Sequence, residues 1–184
     1  MKKITGTIFS IFLIFSCQQQ SNISKDFNCE KLSFSSLEEI TDMKNLFSVK
    51  LPENWKTNLY FDDIQSSIYS ADTTKKLTET AILDISFVQK SIVFDDNFKL
   101  NLERENLANH LIRTTSKEQK FNKNSSFYSI SKGKKGNYNY QVLDFFIKVN
   151  DQNFLHTKTQ IYGDSLVEER LCSSINLIEK ITFK

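Results

Sequence analysis

The six residues Val142-Leu143-Asp144-Phe145-Phe146-Ile147 constrain the fold more than any other stretch of the chain. A strand turns successive side chains to opposite faces, so a run that is apolar at both parities must be covered on both sides. The chain therefore has to build layers around this segment. Its neighbours read as strands with one covered face. In 80–89, Ala81, Leu83, Ile85 and Phe87 share one side. The segment 47–51 alternates in the same way, and Pro52 stops it.

Further strands are read at 55–61 and 64–70, joined by the turn residues Asp62 and Asp63. Two more, 125–132 and 137–149, flank a tip containing Gly133 and Gly136, and another runs over 154–162. Asp95 and Asp96 open a helix, since acidic groups favour the positive end of the helix dipole. Its expected apolar stripe is Leu100, Leu107, Ala108, Leu111 and Ile112, with His110 at the edge. Asp164 is expected to open a last helix over 165–179, and Ile181-Thr182-Phe183 ends the chain as a short strand. Short links between strands make the sheet mainly antiparallel, which gives an α+β domain.

Composition removes several function classes. The 184 residues carry 24 Lys or Arg and 22 Asp or Glu. Lys2 and Lys3 sit in a removable leader, so the remaining chain is neutral on paper, unlike a nucleic-acid binder with a clustered basic surface. Four glycines, Gly6, Gly133, Gly136 and Gly163, are too scattered for a dinucleotide-binding turn, a phosphate loop or a nucleophile elbow. His110 and His156 alone cannot supply a multi-histidine metal centre. No cofactor is implied.

The leader itself is informative. Lys2 and Lys3 precede an apolar run over 4–15, shorter than the roughly 20 residues of a membrane-spanning helix. That is the pattern of a signal peptide. Ile14-Phe15-Ser16-Cys17 resembles a bacterial lipobox, which implies cleavage after residue 16 and a lipid on Cys17. Multi-chain lipid anchors hold a protein stably at a bilayer. Gln18, rather than Asp, follows the cysteine. By resemblance to lipoproteins of two-membrane bacteria, this points to the outer membrane, facing the periplasm. Polar residues 18–24 read as a tether, so the expected organisation is a leader over 1–16, a lipidated tether over 17–43 and a domain over 44–184. Cys29 and Cys172 remain. In an oxidising compartment they form either a disulfide, worth on the order of 5 kcal/mol for so long a loop, or two separate buried thiols.

Phe47-Ser48-Val49-Lys50-Leu51-Pro52-Glu53-Asn54-Trp55 resembles the opening of the Mog1/PsbP families, a short strand followed by Pro-x-x-Trp. The later order of helix, strands, glycine-bearing hairpin and C-terminal helix fits over about residues 44–184. The resemblance implies an antiparallel sheet of about six strands flanked by helices. It also implies a non-enzymatic accessory role with a protein partner, at the membrane through Cys17. The alternative is a small-ligand carrier, with its pocket between the sheet and the helix at 95–114.

Asp144 is an acid inside an apolar run. A three-residue link at 150–152 places it opposite Lys158, with His156 facing Phe146, so a cross-strand ion pair accounts for it better than catalysis. Asp62-Asp63 and Asp95-Asp96 serve as turn and cap rather than as calcium ligands. Lys132, Lys134 and Lys135 form a basic hairpin tip, a possible contact surface for an acidic partner or headgroups. Trp55, Tyr60, Phe61 and Tyr69 are expected to pack in the core rather than form a contact surface.

Overall fold

The structure, a computed structural model, describes residues 21–184. The expected leader and Cys17, the expected lipid site, lie outside the described residues. The chain runs α1 (Asn22–Asp26), β1 (Leu37–Thr41), β2 (Phe47–Pro52), β3 (Lys56–Phe61), β4 (Gln65–Ala71) and β5 (Ala81–Val88). It continues through α2 (Asp96–Ala108), β6 (Leu111–Phe121), β7 (Asn124–Lys135), β8 (Tyr138–Lys148), β9 (Phe154–Tyr162), α3 (Val167–Ile178) and β10 (Ile181–Phe183).

Seven strands form an antiparallel sheet in the order β3-β4-β5-β9-β8-β7-β6, one strand more than the expected six. A second sheet has the order β1-β2-β10. The doubly apolar segment lies inside the large sheet, on β8, where every residue from Tyr140 to Ile147 is buried. Its two faces meet different layers. On one face Leu83, Ile85, Leu143, Phe145, Ile147 and Leu155 join Leu171, Ile175 and Ile178 of α3, and Phe47, Val49 and Leu51 of β2, in the main core. On the other face Phe98 and Leu102 of α2 sit on Phe127 and Phe146, forming a smaller cluster.

Local chemistry explains most boundaries. Asp95 caps α2 by accepting a hydrogen bond from the Phe98 amide at 2.8 Å. Asp62 Oδ1 accepts from the amides of Ile64 and Gln65, closing the β3–β4 turn. Those amides hold the Asp62 carboxyl below its usual range. The β7–β8 turn places Gly136 at φ 60°, a value a side chain rarely tolerates. Gly133 is required for another reason: a Cβ there would lie 2.1 Å from the His110 carbonyl oxygen.

Four expectations need correction. Helix α2 stops at Ala108, His110 occupies a left-handed turn (φ 56°), and Leu111 and Ile112 begin β6. Leu100 and Leu107 point outward; the buried face of α2 carries Leu102 and Asn106. Pairing with β7 decides the matter, because β6 makes its ladder there and is otherwise a mostly exposed, polar edge. The stretch expected to be a tether is folded from residue 21 onward. Ile23 and Cys29 are buried, and β1 pairs with β2, so apolar burial begins well before residue 44. Asp164 does not cap α3; both its oxygens accept from Asn139 Nδ2 at 2.9 Å, while α3 begins after Leu166 in a left-handed conformation. Tyr60 and Phe61 are each 58% exposed rather than in the core, because β3 is an outer strand.

Cys29, just after α1, and Cys172 of α3 are joined, with Cα atoms 5.2 Å apart. Ser24 Oγ donates to Glu179 Oε1 at 2.5 Å, and Ser21 Oγ donates to the same oxygen. Asn176 Oδ1 accepts from the Leu32 amide while its Nδ2 donates to the Glu30 carbonyl. The N-terminal segment is thus fastened along α3. Among the described residues no helix is long and apolar enough to cross a membrane.

Candidate functional site

The face of the large sheet opposite the main core is only half covered. Alternation along β5, β9 and β8 turns Asp84 and Ser86, then His156, Lys158 and Gln160, then Asp144 and Phe146 toward this side. Helix α2 covers the part over β6, β7 and β8. It is held by ion pairs of Lys99 with Glu118 at 2.7 Å and Glu103 with Arg113 at 2.5 Å. Toward β4 and β3 the face is open; at that edge exposed Tyr60 shares its parity, whereas exposed Leu59 and Phe61 have the other.

Where α2 ends, a groove of about 520 Å³ opens between the helix, the β7–β8 tip and the sheet. Its floor holds Asp144, only 3% exposed. Asp144 Oδ1 lies 2.8 Å from His156 Nε2 and 3.6 Å from Lys158 Nζ. The register Asp144↔Lys158 is the one expected from the β8–β9 link. The histidine contact is new: His156 lies diagonally across the ladder, its ring stacked on Phe146 at 4.2 Å. At the groove's other end Tyr140 donates to Gln160 Oε1 at 2.7 Å. Burial, then the neighbouring Tyr162, pushes the Tyr140 hydroxyl above its ordinary range. Lys135 Nζ stands 5.2 Å from the Tyr140 ring centre and 5.8 Å from that of Tyr162. Asn106, 5% exposed, lines the groove with its Nδ2 lacking an acceptor.

The residue types of a hydrolytic triad, Ser86, His156 and Asp144, share this face, but their bonding is different. Ser86 Oγ is engaged with Ser67 Oγ at 2.8 Å and Asp84 Oδ1 at 3.1 Å. A nucleophile needs a hydrogen bond to its base, and the Ser86 hydroxyl makes its bonds elsewhere. Among the described residues no three His, Cys, Asp or Glu side chains converge on a metal position. What the arrangement can do is bind: it offers a buried carboxylate, a half-exposed ammonium, an unpaired amide donor and aromatic walls.

The expected contact residues divide. Lys134 and Lys135 line the groove, whereas Lys132 pairs opposite Gln141 outside it. His110 borders the groove from its turn rather than from a helix. Sequence reasoning missed Asn106, because its burial depends on where α2 docks. It also missed Gln160 and Tyr140, which pair diagonally rather than directly opposite.

These features define a class, an α+β protein of the PsbP/Mog1-like fold. No family model matches the chain, and no curated protein matches it. Among solved structures it is similar to the cyanobacterial PsbP (CyanoP) of Synechocystis, with a TM-score of 0.62 at 9% identity over 85% of this chain and 97% of that one. It is also similar to the Ran-binding protein Mog1p of Saccharomyces cerevisiae, with a TM-score of 0.55 at 8% identity over 80% of this chain and 95% of the other. A Bacteroides thetaiotaomicron protein gives a TM-score of 0.51 at 12% identity, over 80% of this chain and 48% of the other. Identities this low show the fold alone.

Proposed function

We propose that this chain is an exported, lipid-anchored envelope protein that binds a protein partner and performs no chemistry of its own. The observation that carries the binding role is the outer edge of the large sheet, where Leu59, Tyr60 and Phe61 of β3 and Ile64 of the turn after it are all exposed. An unprotected apolar edge is a liability unless a partner covers it, and an added strand is one way to do so. The neighbour Mog1p is a Ran-binding protein, which agrees with partner binding on this fold. The anchor rests on Ile14 to Cys17 and the basic, apolar leader before them.

Anchor and binding face suit each other. Three residues separate Cys17 from Ser21, so four backbone steps span at most about 14 Å. Helix α1, which Ser21 caps, touches the Lys120 end of β6 through Asn22 at 3.4 Å. The groove lies by Leu111 at the other end of that strand, about 30 Å away at ~3.4 Å per residue. A short anchor therefore supports a protein whose groove and open face stand clear of the bilayer, toward the periplasm of an outer-membrane setting.

Two measurements test this. Cys17→Ala is expected to release the protein from membranes, and mass spectrometry of the mature N-terminus to find an acylated cysteine; unchanged attachment or an unmodified thiol contradicts the anchor. For binding, capture from detergent-solubilised envelopes is expected to recover a stoichiometric partner with the native chain and lose it with Phe61→Lys. A second reading, a small-ligand carrier, is favoured by the unpaired Asn106 donor in a groove of ordinary ligand-site size. It calls for a co-purifying small molecule that Asn106→Leu abolishes.

A further inference from the structure

We propose that Arg170 anchors a second binding site, separate from the groove, that takes a small monocarboxylate. Arg170 lies in the first turns of α3 and is 7% exposed. Its Nη1 donates to the Thr80 carbonyl at 2.9 Å and the Tyr162 carbonyl at 3.0 Å, which fixes the guanidinium between the start of β5 and the end of β9. Nε and Nη2 have no acceptor at all. These two nitrogens share one edge of the planar group and present parallel N–H bonds. That edge matches the two oxygens of a carboxylate. Among the described residues Arg170 makes no contact ion pair, and only the more distant charges of Asp164 and Glu169 offset its own. Burial pulls the guanidinium below its usual range.

The same side chain lines a pocket of about 330 Å³, at the small end of ligand sites. Phe34 and Trp55 supply aromatic walls, and Ser173 a hydroxyl. Lys75 adds a second cation, 3.7 Å from Asp72 Oδ2. Asp72 and Glu79 also line it, so a multiply charged anion such as phosphate would meet repulsion that a single carboxylate with an apolar body largely avoids. The outer wall, residues 33–36, carries neither helix nor strand. The Nε–Nη2 edge is itself sealed, so on this proposal a carboxylate reaches it by a shift of that segment.

The test uses the purified full chain in detergent with acetate, hexanoate and phenylacetate, each against its neutral amide. Calorimetry is expected to show at least one carboxylate binding about tenfold or more tightly than its amide, and NMR to show the Arg170 Nε–H resonance moving with it. Arg170→Lys, which keeps the charge but loses the fork, is expected to abolish the preference. Ser173→Trp, which fills the pocket and leaves Arg170 in place, is expected to abolish binding, with circular dichroism verifying that each variant folds. Equal binding of acid and amide, a silent Arg170 resonance, persistence in folded Ser173→Trp, or no response to any of the three acids would overturn the site.

Discussion

Tyr128 shows how one side chain records the packing around it. Its hydroxyl donates to Asp26 Oδ2 at 3.2 Å, and Lys117 Nζ holds the other oxygen at 2.6 Å. Burial first, then the Asp26 charge and hydrogen bond, pushes the Tyr128 hydroxyl up to about 12 from an ordinary 10. The sign follows from proton linkage. Between pH 10 and 12 the unfolded chain loses this proton while the folded one keeps it, so the contribution present below 10 is lost as pH rises. Tyr140 and Tyr69 are also raised, so an ultraviolet titration is expected to show several late-titrating tyrosines, one fewer of them in Tyr128→Phe. At the same scale, Asp144→Asn breaks the ion pair with Lys158 and weakens the contact with His156. Leaving those partners uncompensated is expected to cost about 1–3 kcal/mol in a urea melt.

Among the elements, β6 was the hardest to read and the most dependent on its neighbour. Residues 115–120 are polar and its burial pattern is mostly exposed, so it carries no alternation of its own. Its ladder to β7 and the irregularity between Arg113 and Thr115 make it a protected edge. The start of β6 is set by Gly133, which admits the His110 carbonyl where a Cβ would lie 2.1 Å away. Gly133→Ala is expected to lower stability by about 1–3 kcal/mol in chemical denaturation, through displaced backbone, and to disturb the groove that His110 borders. By contrast β5 and β9 were legible because their side chains are buried in a period of two, and β8 because it is apolar at both parities. The Asp144–Lys158 register was legible for the same reason: a short link fixes which residues face each other.

For the whole molecule, the bond between Cys29 and Cys172 ties the segment just after the first helix to the last helix and encloses nearly the entire domain. The paired variant Cys29→Ser with Cys172→Ser is expected to lose about 2–5 kcal/mol in denaturant, and the native chain to migrate differently on gels with and without reductant. Identical migration would mean that the two thiols are not bonded. By itself the sequence determined the layered α+β class, the central strand, the hairpin at Gly136 and the facing of Asp144 and Lys158. Each rests on a local period or a short link, which needs no knowledge of the rest of the chain. Only the tertiary structure decided that Leu111 and Ile112 belong to a strand, that Tyr60 and Phe61 stay outside, and that Asn106 and Arg170 are buried with donors unspent. Those outcomes depend on which surfaces meet across long stretches of chain, and a polar edge strand or a docked helix takes its place from its partners rather than from its own pattern.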